Sequence, residues 1–73
     1  MTPVEVEETL LRLRHGEKVT VKHLDLTFQI HAKQYAGVWG YGTIVEGQTR
    51  VKHRIMSNDD VRSWLESLEL IES

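Results

Sequence analysis

The sequence predicts a two-layer α+β domain in the order α-β-β-β-β-α: a four-stranded antiparallel meander with both helices packed on one face. Two observations predict it. Each end of the chain carries a helix-start signal followed by apolar residues at helical spacing. Between them, from Val19 to Ile55, apolar and polar residues alternate with a period of two. The breaks at Asp25, Gln34–Gly37 and Glu46-Gly47 are too short for crossovers, so the strands connect as hairpins.

The first helix is expected over about residues 3–15. Thr2 caps the free amides, Pro3 suits the first helical position because its missing N–H costs nothing there, and Glu5 completes a capping box. Val6, Leu10 and Leu13, widened by Leu11, form the apolar face. Glutamates gather at the positive end, Arg12, Arg14 and His15 at the negative end, and Gly16 is the expected stop.

Strands are expected over about 18–24, 26–33, 38–45 and 49–55. In the first, Val19 and Val21 oppose Lys18, Thr20 and Lys22; in the second, Leu26, Phe28, Ile30 and Ala32 oppose Thr27, Gln29, His31 and Lys33. In the fourth, Val51, His53 and Ile55 alternate with Arg50, Lys52 and Arg54. The second helix is expected over about 58–71. Ser57 and Asp60 stand at capping-box spacing, and Val61, Trp64, Leu65, Leu68 and Ile71 make a broad apolar stripe.

Seventy-three residues without cysteine form one domain, 1–73, with no disulfide staple and no thiolate metal site. A chain of this size buries only about 60% of its unfolded surface, so self-association is an expected source of further burial. No apolar run approaches the roughly 18–20 residues of a membrane span, and the N-terminal stretch lacks signal-peptide character, so the expected location is cytoplasmic. Charge is divided: residues 1–17 carry a net -2, residues 18–54 a net +4 and residues 55–73 a net -4. Such division bears on partner choice more than the overall -2 does.

The third strand admits two sidings. With Glu46-Gly47 as a two-residue loop, Tyr41 pairs with Lys52 and Trp39 with Arg54. Both aromatics then share the basic face, and Val51, His53 and Ile55 lie beneath the helices. A three-residue loop or a bulge reverses the parity, placing the aromatics in the core with Val51 and Ile55 and the glycines outside.

The candidate binding face is Lys22, His31, Lys33, Trp39, Tyr41, Arg50, Lys52 and Arg54. Cations with interleaved aromatics are the general recipe for single-stranded nucleic acid. An exposed sheet face must also be polar simply to stay soluble. The four histidines form no paired metal motif, although His31 and His53 could meet across strands, and His53 in phase with Val51 and Ile55 reads as semi-buried. No metal or other cofactor is expected. Ser57, Asp59 and Asp60 are explained by capping, and the glycine-rich Gly37–Gly42 run lacks phosphate-cradle spacing. The expectation is a non-enzymatic interaction or regulatory module that binds another protein or itself as a homodimer. The alternative is single-stranded nucleic-acid binding through the basic face, which the low net charge makes second.

Overall fold

The computed structural model describes residues 1–72; Ser73, the last residue of the predicted domain, lies outside them. The elements are α1 (Pro3–Arg14), β1 (Val19–His23), β2 (Leu26–Tyr35), β3 (Val38–Val45), β4 (Val51–Ile55), α2 (Asn58–Glu66) and β5 (Glu69–Glu72). The two-layer α+β arrangement is as the sequence implies. The sheet, however, has five strands rather than four, all pairing antiparallel, in the order β4-β3-β2-β1-β5.

Both helix starts follow from local chemistry. Thr2 Oγ1 accepts from the Glu5 N–H at 3.2 Å while Glu5 Oε1 accepts from the Thr2 N–H at 2.9 Å, and Ser57 Oγ accepts from the Asp60 N–H at 3.2 Å. The end of α2 is a correction. The apolar spacing carries a helix to residue 71, but the helix stops at Glu66, where the Ser67 hydroxyl turns back to donate to the Trp64 carbonyl at 2.6 Å. The Met1 amino group donates to the carbonyls of Glu66 and Leu68, satisfying acceptors that a continuing helix would have used internally. Glu69–Glu72 then pairs antiparallel with the edge of β1. Leu68 is buried, as its place in the apolar stripe requires, whereas Ile71 is exposed on the strand.

The core lies between one sheet face and the helices. Val6, Leu10 and Leu13 of α1 and Val61 and Leu65 of α2 meet Val19, Val21, Phe28, Ile30 and Tyr41. Trp64 stacks on Phe28 with ring centroids 6.3 Å apart. The helices are also tied at their surface, where Arg62 Nε lies 2.7 Å from Glu7 Oε2. That hydrogen bond and charge hold Glu7 below and Arg62 above their ordinary values. Being exposed, the pair orients the helices more than it stabilises them.

Two hairpins close on two-residue loops that demand left-handed backbone. Leu24 sits at φ 55°, and in the β2–β3 turn Ala36 and Gly37 sit at 49° and 82°. Positive φ at both central residues is the I′ pattern whose twist matches that of paired strands. Gly37 adopts it freely, whereas Ala36 holds a conformation that costs an L-residue about 1–2 kcal/mol.

Two outcomes follow for stability. Leu13→Ala and Leu65→Ala, at positions fully removed from solvent, should each cost about 2–5 kcal/mol in urea unfolding. Ala36→Asn should raise the stability by about 0.5–1 kcal/mol by relieving the left-handed residue; an unchanged or lower midpoint would contradict this turn geometry.

Candidate interaction surface

The β2–β3 turn settles which way β3 faces. It pairs Tyr35 with Val38, and therefore Gln34 with Trp39 and Ala32 with Tyr41. Tyr41 consequently shares a face with Phe28 and Ile30 and is 1% exposed beneath the helices. The β3–β4 connection is two residues longer than a tight Glu46-Gly47 hairpin. Gln48 N–H bonds to the Val45 carbonyl at 2.9 Å, and the strands then pair as Ile44 with Val51, Thr43 with Lys52 and Tyr41 with Arg54. Lengthening a loop by two preserves parity, so Lys52 and Arg54 do share a side with Trp39 and Tyr41. That side is the helix side, where the second siding places the aromatics but neither places Lys52 and Arg54.

The eight candidate residues are therefore divided. Lys22, His31 and Lys33 lie on the face without helices. Trp39 and Tyr41 lie on the helix side, half-buried and buried respectively. Lys52 and Arg54 project on that same side but from an edge strand that the helices do not reach, so they stay exposed; Arg50 precedes β4, which begins at Val51. Val51, His53 and Ile55, expected beneath the helices in either siding, point outward and are exposed. His53 is thus not a semi-buried core histidine.

The open face has a character the sequence reading missed. Its β3 and β4 positions are Val38, Gly40, Gly42, Ile44, Val51, His53 and Ile55, flanked on β2 by Gln29, His31, Lys33 and Tyr35. Several large apolar side chains are exposed there: Tyr35 45%, Val38 46%, Val51 38% and Ile55 69%. The signal was present, since Val51 and Ile55 share a parity with Gly40 and Gly42, but it was assigned to the wrong side.

Rings from β2 lie across the glycines of β3. The His31 imidazole covers Gly42 so closely that a Cβ there would stand 2.4 Å from its Cε1, and Tyr35 covers Gly40 at 3.4 Å. Because Gly42 has no side chain, His31 reaches across it to His53, edge to face, with centroids 5.6 Å apart. Partial burial, then the charge of His53, Lys18 and Lys33, holds His31 below its ordinary value. Lys33 Nζ in turn lies 5.7 Å from the Tyr35 ring centre. The result is a largely apolar, aromatic strip along β3 and β4 with lysines at its β1–β2 side.

Arg14 was read only as a charge at a helix end, yet it joins three elements behind the sheet. Its Nη2 donates to Asn58 Oδ1 at 2.7 Å and to the Tyr41 hydroxyl at 3.4 Å, and its guanidinium lies 5.6 Å from the Trp39 ring centre. Among the described residues no group of three or more His, Cys, Asp or Glu is placed to hold a metal ion, and no helix is long and apolar enough to cross a membrane. No protein-family model, curated protein or solved structure matches the chain.

The histidine row is testable. An unfolded chain with ordinary imidazoles takes up protons before folded His31 does, so this residue's contribution is full above about pH 6.5 and is lost as pH falls through the folded value. Wild-type stability should therefore drop more between about pH 7 and pH 5 than that of His31→Gln. Gly42→Ala should displace the ring and return the His31 titration, followed by NMR, towards the ordinary value.

Proposed function

We propose that this chain is a non-enzymatic interaction module whose open sheet face docks on a protein, and that the occupant is a second copy of itself. The observation that supports this reading is the exposed apolar strip of Tyr35, Val38, Val51 and Ile55 on a face with no helix of its own. Scattered apolar residues are ordinary on a surface; exposed apolar side chains gathered on one sheet face, here to either side of the His31–His53 row, are the mark of an interaction site. Size is compatible, because the domain measures 33 by 29 Å across and only 19 Å through, and a specific interface takes roughly 800 Å² from each partner. Stacking two such sheets gives each a second covered face, the burial that a 73-residue chain otherwise lacks. The neutral state favoured at His31 suits burial against another copy.

Single-stranded nucleic acid, the other expectation, loses support from the division of the basic residues. Base stacking needs accessible rings beside the cations. Of the rings Tyr35, Trp39 and Tyr41, Tyr41 is buried and Trp39 half-buried beneath Arg14, leaving Tyr35 exposed beside Lys33, while Lys52 and Arg54 stand on the opposite side from Lys22 and Lys33.

Sedimentation of the wild type should give a mass twice that of the 8.5 kDa chain as concentration rises. Val51→Lys/Ile55→Lys, with an unchanged circular dichroism spectrum, should weaken the association at least about tenfold. A monomer at every concentration up to about 0.5 mM, with or without the substitutions, would overturn the second-copy reading.

A further inference from the structure

The helix-bearing side of the sheet is wider than the helices that cover it. α1 packs on β1 and β2, and α2 packs on α1. An open groove of about 260 Å³ is left over β3 and β4. Phe28, Tyr41 and Val45 contribute to it from the sheet, Trp64 from α2 and Met56 from the segment leading into α2, while Lys52 and Arg54 enter it from the edge strand. In its floor Tyr41 accepts a hydrogen bond from Arg14 and Phe28 is stacked on Trp64.

From this geometry we infer that the groove is a second docking site, which takes an acidic segment of a partner protein. One aromatic or large aliphatic side chain of that segment rests against Val45, Met56 and Trp64, above the buried rings of Phe28 and Tyr41. Neighbouring carboxylates meet Lys52 and Arg54. The volume sets the first part, being below the roughly 300–1,000 Å³ of sites for whole small molecules and suited to a single anchor side chain. Charge sets the second. Arg12 and Arg62 have carboxylate partners in this fold, but among the described residues Lys52 and Arg54 make no ion pair and stand at the groove unneutralised. Two unpaired cations beside an apolar slot complement a segment in which acidic residues flank an apolar one.

A polynucleotide fits less well. It needs cations spaced along a track, whereas this pocket is lined by only two lysine or arginine side chains. The site is also independent of the pairing proposed for the open face, because β4 alternates. Lys52 and Arg54 serve this side while Val51 and Ile55 serve the other.

Two-dimensional NMR of the ¹⁵N-labelled protein with short blocked peptides tests this inference. The probe is Asp-Glu-Phe-Glu-Asp, with Asp-Glu-Ala-Glu-Asp, Lys-Lys-Phe-Lys-Lys and an oligothymidylate as comparisons. The acidic phenylalanine peptide should shift the Trp64 indole and the amides of Thr43, Lys52 and Arg54, binding at least about tenfold tighter than its alanine counterpart. Those shifts should vanish in Lys52→Glu/Arg54→Glu, which keeps its oligomeric state, and persist in Val51→Lys/Ile55→Lys. The inference is overturned by no shift at these groups with about 2 mM peptide, by equal binding of the alanine or lysine peptide, or by stronger shifts there with the oligothymidylate.

Discussion

The two-residue turn at Ala36-Gly37 is the constraint on which the sheet's two faces depend. Its positive φ angles close β2 onto β3 without a bulge, so Tyr35 meets Val38 and every later pair is fixed. One more residue in that loop would exchange the faces of β3, exposing Tyr41 and driving Gly40 and Gly42 beneath the helices. The cost of holding Ala36 left-handed is therefore offset by the burial of Tyr41 and the half-burial of Trp39. The same register brings His31 over Gly42 and Tyr35 over Gly40. One turn thus organises the core on one side and the aromatic strip on the other.

The two sides then offer different chemistry. The open face presents a broad, mainly apolar strip in which the glycines of β3 are roofed by rings, a surface suited to lying flat against another sheet. The helix side presents an open groove lined by aromatic and aliphatic side chains, with two exposed cations at its edge. β4 contributes to both because its side chains alternate, with Val51, His53 and Ile55 towards one and Lys52 and Arg54 towards the other. An edge strand whose five residues are all exposed carries little of the core, although Val51 and Ile55 are residue types common in cores.

Much of the fold was legible because its signals were local. Thr2, Pro3 and Glu5 specify the start of α1, Ser57 and Asp60 that of α2, and the alternation through β1 and β2 correctly separates Val19, Val21, Phe28 and Ile30 from Lys22, His31 and Lys33. β5 was hidden because Leu68 and Ile71 continue the helical spacing of Val61, Trp64 and Leu65, with no glycine or proline to interrupt it. What ends α2 is tertiary: the Met1 amine at its last carbonyls and a free edge on β1.

For β3 the siding with Trp39 and Tyr41 inside and the glycines outside is the one that holds, whereas β4 is misplaced in both sidings, for another reason. The turn that decides the siding of β3 is Ala36-Gly37 rather than Glu46-Gly47: an adjacent pair with glycine second, where Gly supplies the left-handed backbone cheaply. Placing Val51 and Ile55 in the core followed from their residue type, yet an edge strand beyond the reach of the helices has no core to offer them. Of the eight candidate residues, Lys22, His31 and Lys33 therefore share the open face, while Trp39, Tyr41, Lys52 and Arg54 lie on the other side of the sheet.

The register of β3 is the central claim, and cross-strand nuclear Overhauser effects measure it directly. Backbone contacts linking Tyr41 to Ala32 on one side and to Arg54 on the other, with Gly42 between His31 and His53, are the predicted result. Contacts pairing Tyr41 with His31 or His53, with the Val51 and Ile55 methyls against the helices, would contradict the turn, both faces and both docking proposals together.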